Sequence, residues 1–371
     1  MSSAPLTEPG EGILEGEALI VDVREQAERL AGHIPGSIHI PMAELLETIE
    51  QRLPDHSAPV VFYCAGGTRS AIAVGLVEQL GYKDASSLEG GFDRWRSEGL
   101  EWVNPGVLSA EQMDRYARHI SLPGVGVDGQ SRLLDTRIAI VGAGGLGSPV
   151  ALYLAAAGVG ALGLIDDDEV AANNLQRQII HSLDHVGQPK TDSARERIGA
   201  LNPDVKTEVH QERLAADNAL RILSGYDIIV DATDNFPTRY LVNDASLHIR
   251  APVVHASIYR FEGQVSVFQP YEGPCYRCVF PSPPPPGVAA NCDTGGVLGV
   301  LPGVIGTMQA TEALKLALGV GSPLIGRLLL YDALAQTTSE LRLSRRPDCP
   351  ACADEGQPPK LVDYDASCTP A

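Results

Sequence analysis

Apolar residues fall along this chain in short blocks closed by glycine, proline or charge. Ala18-Leu19-Ile20-Val21 runs into Asp22-Val23-Arg24, Ser37 to Ile40 forms a second block, and Val60-Val61-Phe62-Tyr63 a third. Blocks of this length predict strands. The third enters Cys64-Ala65-Gly66-Gly67-Thr68-Arg69-Ser70, and helical spacing follows through Ala71, Val74, Leu76, Val77 and Leu80 until Gly81 stops it. The same succession recurs at Ile138 to Val141. That block runs into Gly142-Ala143-Gly144-Gly145-Leu146-Gly147, then an alanine- and leucine-rich segment, Val150 to Gly158, then Ala161 to Ile165 ending on Asp166. The pattern predicts strand, tight turn, helix, strand, with an acid closing the second strand. Further strands are predicted at Asp227 to Thr233, Arg327 to Tyr331 and Glu340 to Leu343, and helices after a Ser109–Gln112 capping box and over Gly303 to Leu318.

A length of 371 residues favours two or three domains. Val103-Asn104-Pro105-Gly106 breaks the periodicity and marks a joint, and the chain after Cys352 is polar and proline-containing. These breaks predict domains over 10–103 and 109–355, a linker over 104–108 and a flexible tail over 356–371. A formal charge of −19 with no Lys/Arg-rich run argues against nucleic acid and anionic membrane as partners. No charged, apolar leader opens the sequence, and the uncharged run Val150 to Ile165 is too short to span a bilayer, so a cytoplasmic protein is expected.

Of the seven cysteines, Cys275/Cys278 and Cys349/Cys352 have C-x-x-C spacing, which in a cytosolic chain reads as a closed, structural zinc site. Cys64, Cys292 and Cys368 are left for thiol chemistry. Cys64 sits between a strand and a helix N-terminus, where loop N–H groups and the helix dipole favour a thiolate, although a strand-ending cysteine can also be a buried structural thiol. Cys292 follows the proline run Ser282 to Gly287, which cannot be helix or central strand and predicts a mobile loop. Cys368, near the end, reads as incidental.

Glycines at 142, 144, 145 and 147 let backbone approach an anion, and the following helix aims free N–H groups at it. Asp166, 19 residues beyond Gly147, suits a ribose-binding acid, so this much fits an NAD-binding dehydrogenase as well as an ATP site. No Lys-Ser/Thr pair follows the glycines, so a triphosphate needs cations from elsewhere. Arg177, among Asn173, Asn174, Gln176 and Gln178, and Lys190, opening a helix after Gly187-Gln188-Pro189, supply them; Asp234-Asn235, after a strand and followed by Arg239, supplies a carboxylate for Mg²⁺. Each charge taken singly also fits a solvated surface. Together they suit ATP better than a nicotinamide ring.

Two resemblances follow. Asp22-Val23-Arg24, the His33 to Ser37 turn, the Cys64 to Arg69 loop and Leu88 to Phe92 with Trp95 resemble a rhodanese domain. That implies a persulfide on Cys64, with Arg69 in its loop, which is one residue shorter than the phosphate-fitting loop of related phosphatases. Arg115-Tyr-Ala-Arg118, Gly142–Gly147, Asp166-Asp-Asp168, Asn174-Leu-Gln-Arg177-Gln178, Gly187-Gln-Pro-Lys190, Asp231-Ala-Thr-Asp234-Asn235, Glu262-Gly-Gln264 and both C-x-x-C pairs resemble the ubiquitin-activating-type adenylyltransferases of the MoeB/ThiF family. This resemblance implies an α/β Rossmann-like adenylation domain with a four-cysteine zinc site, preceded by a small α/β rhodanese domain. It implies ATP bound by Gly142, Gly144, Gly145, Gly147, Asp166, Asp168, Asn174, Arg177, Gln178, Lys190, Asp234 and Asn235. It also implies a homodimer in which Arg118 reaches the other subunit's nucleotide, and an acceptor thiol at Cys292.

The activity implied is adenylation of the Gly-Gly carboxylate of a ubiquitin-like sulfur carrier. Sulfur then comes from Cys64, itself loaded by a cysteine desulfurase or thiosulfate, and a thiocarboxylate results. Molybdenum cofactor, thiamine, thiolated tRNA and sulfur-containing siderophores all draw on this chemistry. Rhodanese-fused members of the family commonly carry that domain at the C-terminus; here it comes first. The competing expectations are an NAD-dependent oxidoreductase with a fused thiol domain and a carrier-binding scaffold with a vestigial nucleotide site.

Overall fold

The structure is a computed structural model describing residues 6–7, 18–103, 108–282 and 296–363. It separates into two compact units that meet in sequence between Ser131 and Arg132. Residues 109–131 thus fall in the first unit, beyond the joint expected at 104–108, and include the helices Ala110–Arg115 and Ala117–Ile120. The capping box is present: Gln112 N–H donates to Ser109 Oγ at 3.1 Å and Ser109 N–H to Gln112 Oε1 at 2.9 Å.

The first unit is built on a five-stranded parallel sheet of β1 (Leu6–Thr7), β2 (Leu19–Asp22), β3 (Ile38–His39), β4 (Val60–Tyr63) and β5 (Ala85–Leu88), in the order β1-β5-β4-β2-β3. β4, in the middle of the sheet, is buried on both faces, so apolar residues occupy successive positions. Val60 and Phe62 join a core with Val21, Leu45 and Val74, while Val61 and Tyr63 join another with Ile20, Phe92 and Trp95. β4 stops at Cys64, and the helix Thr68–Gln79 begins three residues beyond Ala65.

The second unit holds an eight-stranded sheet: β6 (Arg137–Val141), β7 (Ala161–Ile165), β8 (Lys206–His210), β9 (Ile228–Asp231), β10 (Val253–Tyr259), β11 (Glu262–Phe268), β12 (Arg327–Asp332) and β13 (Thr337–Arg342). Their order is β13-β12-β11-β10-β9-β6-β7-β8. β8 through β10 pair in parallel, and β10 through β13 are antiparallel. The parallel part reverses direction of travel between β6 and β9, and crevices for ligands open at the carboxyl ends of strands at such a point. The helix after the glycines starts at Gly147, not Val150, so its N-terminus lies within the turn itself. The helix Leu301–Leu318 begins two residues before the expected start, with Pro302 in its first turn, where a missing N–H costs nothing. Among the described residues no helix is long and apolar enough to cross a membrane.

Candidate active sites

In the second unit a cavity of about 370 Å³ opens beyond the carboxyl ends of β6, β7 and β9. Gly142, Gly144, Gly145, Asp166, Asp168, Arg177, Gln178, Lys190, Asp234 and Asn235 line it. Ten residues from five separate segments therefore meet at the crevice. Gly147 and Asn174 are not on its wall. Gly147 serves close packing, since a Cβ there would stand 1.9 Å from the Gly142 carbonyl oxygen. Gly142 has φ +99°, and a Cβ would lie 2.8 Å from the carbonyl oxygen of Ala232. Side chains are excluded at both positions, and the loop is held tight against β9. Asn174 closes a short 3-10 turn, with its amide near Ala171 N and Asn173.

The charged lining is pre-arranged. Asp166 accepts from the N–H of Ala143 at 2.7 Å and of Asp168 at 2.9 Å, so its carboxylate fixes the glycine turn. Burial pushes the Asp166 carboxyl up, opposed by Lys190. Lys190, buried at 6 % exposure, donates from Nζ to Asp168 at 2.6 Å. A buried ammonium is costly without a carboxylate or an incoming anion beside it. Gln178 is also buried, and its Oε1 has no hydrogen-bond partner among the described residues. Asn235 caps the helix Phe236–Ile249, accepting from Thr238 N–H at 3.0 Å.

Further residues support the lining from behind. Asp231, fully buried at the end of β9, accepts from Thr233 Oγ1 at 2.6 Å and Thr233 N–H at 3.1 Å and lies 2.7 Å from His255 Nδ1. Burial holds His255 below the ordinary histidine range, while His255 and Thr233 outweigh burial and hold Asp231 below the ordinary carboxylate range. Arg239 donates to the Thr233 carbonyl at 2.9 Å and Gln309 to that of Asp231 at 2.8 Å. The turn that presents Asp234 is thus tied from β10 and from two helices. On the other side, His181 bridges Ser193 Oγ at 2.9 Å and the Ala143 carbonyl at 3.0 Å. Asp231 opens the Asp231–Asn235 run and Arg239 follows it by four residues, whereas His255, Gln309 and His181 are brought there only by folding.

In the first unit, Cys64 is buried at 2 % exposure. Gly67 N–H points at its Sγ from 3.1 Å, Ser70 Oγ lies 3.5 Å away, and Ser87 donates to Ser70 at 2.8 Å. A Cβ on Gly91 would stand 2.4 Å from the carbonyl oxygens of Cys64 and Ala65, so the Gly90-Gly91 turn must be bare to close on the loop. Arg69 does not point freely outward; it forms a two-pronged pair with Glu28. Arg118 lies in the helix Ala117–Ile120 of this unit. Cys292 and Cys368, and the proline run from Pro283, lie outside the described residues.

The four C-x-x-C cysteines converge although 70 residues separate the pairs. All are buried, their sulfurs lie within 4.8 Å of one another, and neighbouring sulfurs stand 3.5–3.9 Å apart. The hydrogen bond to Cys352, then burial, push the Cys275 thiol up; burial pushes Cys278 up to about 11; hydrogen bonding from Cys275 pulls Cys352 down to about 5. One thiolate is favoured and further ones are resisted, a set that a divalent cation at its centre would complete.

A sequence model of the ThiF family matches residues 116–351, and one of the rhodanese-like domain matches residues 10–98. A sulfur carrier protein adenylyltransferase of Thermus thermophilus is 52% identical over 263 residues, spanning 70% of this chain and 97% of that protein. The SAMP-activating enzyme E1 of Haloferax volcanii is 51% identical over 262 residues, spanning 70% and 97%. A probable adenylyltransferase/sulfurtransferase MoeZ of Mycobacterium tuberculosis is 48% identical over 266 residues, spanning 71% of this chain and 66% of that protein. Among solved structures, Escherichia coli MccB with MccA-N7isoASN superposes with a TM-score of 0.58 at 20% identity, covering 70% of this chain and 80% of that one, a likeness of fold.

Proposed function

We propose that this chain, which belongs to the ThiF family and carries a rhodanese-like domain ahead of its ThiF region, adenylates the C-terminal Gly-Gly carboxylate of a ubiquitin-like sulfur carrier and converts it to a thiocarboxylate. The observation that carries this reading is the cavity at the carboxyl ends of β6 and β9, where Lys190, Arg177 and Asp234 face a bare glycine turn, in a chain that also holds the Cys64 loop. The relatives named above bear matching names. We assign 10–103 to sulfur handling, 104–108 to the linker, 109–355 to adenylation and 356–371 to a tail.

In the first step the carrier carboxylate attacks the α-phosphorus of ATP, and pyrophosphate leaves. Negative charge spreads over the phosphate oxygens as it does so. Arg177 and Lys190 would meet that charge, and the N–H groups opening the Gly147–Ala156 helix would meet what the glycine turn lets near. The catalysis is positioning and electrostatics, because the acyl-phosphate bond forms between the two substrates themselves. Asp234 would hold Mg²⁺, which supplies charge neutralisation for a triphosphate. Asp166 and Gln178 would bind the nucleoside. Arg118 serving the nucleotide of a second subunit in a homodimer belongs to the same proposal. A dinucleotide oxidoreductase would have little use for the Lys190, Arg177 and Asp234 set.

In the second step the sulfane sulfur on Cys64 attacks the acyl carbon and AMP leaves, forming an acyl disulfide. A thiol, assigned to Cys292, then attacks the Cys64 sulfur and frees the thiocarboxylate as a disulfide forms. Cys275, Cys278, Cys349 and Cys352 would hold Zn²⁺, whose four sulfur ligands leave no open position and so give it a structural role. Free thiols at Cys64 and in the four-cysteine cluster suit a reducing, cytoplasmic setting. Carrier-dependent exchange of pyrophosphate into ATP tests the first step, and mass spectrometry of the carrier after incubation with ATP and a sulfur source tests the second. A chain that transfers hydride, or that forms thiocarboxylate without ATP, would overturn the proposal.

A further inference from the structure

One wall of the nucleotide cavity takes no part in the steps above. β8 ends at His210, whose carbonyl accepts from the N–H of Asp166 at 3.3 Å, so the loop that follows starts beside the acid assigned to the nucleoside. Glu212, Arg213 and Leu214 of that loop line the cavity. The sheet runs β6-β7-β8, with the glycine turn after β6 and Asp166 after β7. A nucleotide with its phosphates at the turn and its ribose at Asp166 therefore has its base on the β8 side. The loop is tied partly from within: Asn218 accepts from Ala215 N–H at 2.8 Å and donates to the Arg213 carbonyl at 2.9 Å and to Glu212 at 3.0 Å. A further tie comes from 147 residues along the chain, where Asp363 Oδ1 accepts from Ala216 N–H at 2.7 Å. Leu361 packs, with Ala216 and Leu220, against the core cluster that holds Leu214. The Pro359 carbonyl accepts from His248 Nε2 at 2.7 Å. His248 lies in the last turn of the helix Phe236–Ile249, which Asn235 caps at the cavity. Residues 356–371 are expected from the sequence to be a flexible tail. Pro359 to Asp363 are instead fastened at every second residue, as an extended chain presents one face.

We propose that Pro359–Asp363 is a strap that sets the base-side wall of the nucleotide cavity, with Asp363 as a positioning residue for the nucleoside. This rests on the reading of the cavity as an ATP site. Asp363 is not on the cavity wall; it acts through Ala216 on the three lining residues just before it. A loop released from the strap loses its packing against the base. The base is held alike before and during adenylyl transfer, so the strap governs affinity for the nucleotide and not the rate at which the bound nucleotide reacts. It also leaves the phosphate end alone, since Lys190 and Arg177 come from other segments. The coupling is reciprocal: whatever the strap adds to nucleotide affinity, bound nucleotide adds to the hold of the strap.

Calorimetric titration of the full chain with Mg-ATP and with Mg-tripolyphosphate, which has the phosphates but no nucleoside, tests this. Asp363→Ala is expected to weaken ATP about fivefold, the worth of one hydrogen bond, and to leave tripolyphosphate within about twofold. Asp363→Asn keeps Oδ1 as an acceptor and is expected to restore ATP to within about twofold of the parent. ATP affinity that stays level in Asp363→Ala, or that falls in step with tripolyphosphate, overturns the proposal. Hydrogen–deuterium exchange on the unaltered chain gives a second reading that no folding defect can cloud. Saturating Mg-ATP is expected to slow exchange in peptides covering 211–218 and 359–363 together; slowing in the first without the second overturns the strap. A parent chain that binds tripolyphosphate and ATP equally, or neither, would overturn the ATP assignment itself, and so separates failure of that reading from failure of this one.

Discussion

The Cys64 loop and the Gly142–Gly147 loop are built alike and work differently. Each follows a buried parallel strand and each opens a helix, but glycine serves them differently: a Cβ would collide at Gly142 and Gly147, whereas the Cys64 loop needs Gly67 for its φ of +96°. In the first, the reactive atom belongs to the loop: Sγ, the N–H that faces it and the nearby Ser70 lie within seven consecutive residues. In the second, the loop contributes no reactive atom. It clears space, and Lys190, Arg177 and Asp234 arrive from three other segments. A site built on one turn keeps its geometry by local backbone restraint. A site built from five segments depends on the whole sheet and on buried ties such as Asp231–His255.

This contrast can be broken most sharply by separating the two chemistries. Cys64→Ala is expected to cut sulfur transfer by at least about 10³-fold while carrier-dependent pyrophosphate exchange stays within about twofold, because it removes a nucleophile and touches no nucleotide contact. Exchange that collapses with it would mean that the two sites are not independent. Lys190→Ala and Asp234→Ala are expected to do the reverse, lowering exchange by about 10²–10³-fold and sparing sulfur transfer to cyanide.

Smaller effects sharpen the comparison. Gly147→Ala places a methyl group 1.9 Å from a backbone oxygen and is expected to cost roughly 3 kcal/mol in unfolding of the second unit, read by denaturant titration, with weaker ATP binding. Cys349→Ser should lower the bound metal, measured by atomic emission, below one per chain and reduce the melting temperature without changing the cyanide assay. The least effect is expected from Glu208→Gln. Lys206, then Tyr226 and Arg137, hold that carboxyl down at about 2, so its contribution is complete above the ordinary glutamate range and fades as pH falls toward 2. The variant should lose stability near neutral pH and converge with the parent at the acid end; a constant offset at all pH values would refute the assignment.

The Cys64 loop could be read from the sequence because its parts are adjacent. The glycine turn, the capping box at Ser109 and both C-x-x-C pairs were legible for the same reason. The hairpin of β10 and β11 is not among the strands predicted above, although the apolar and polar residues from Val253 to Phe268 carry a signal for it. His181, His255 and Gln309 offered none, since a buried polar residue in an apolar segment looks the same whatever it is bonded to. The Gly147–Ala156 helix starts before the periodic segment that predicts it, because glycines read as turn, whereas their close packing against the ends of β6 and β9 lets the helix begin among them.

The order of the two domains, the strand–turn–helix units at Cys64 and Gly142 and the pairing of cysteines by spacing were settled by residues a few positions apart along the chain. Folding alone brings Lys190 onto Asp168, Asp231 onto His255, four distant sulfurs to within 4.8 Å of one another and Arg69 onto Glu28. Those contacts join segments whose separation in sequence carries no information about distance. They exist because burying the sheet faces fixes where each strand end comes to rest.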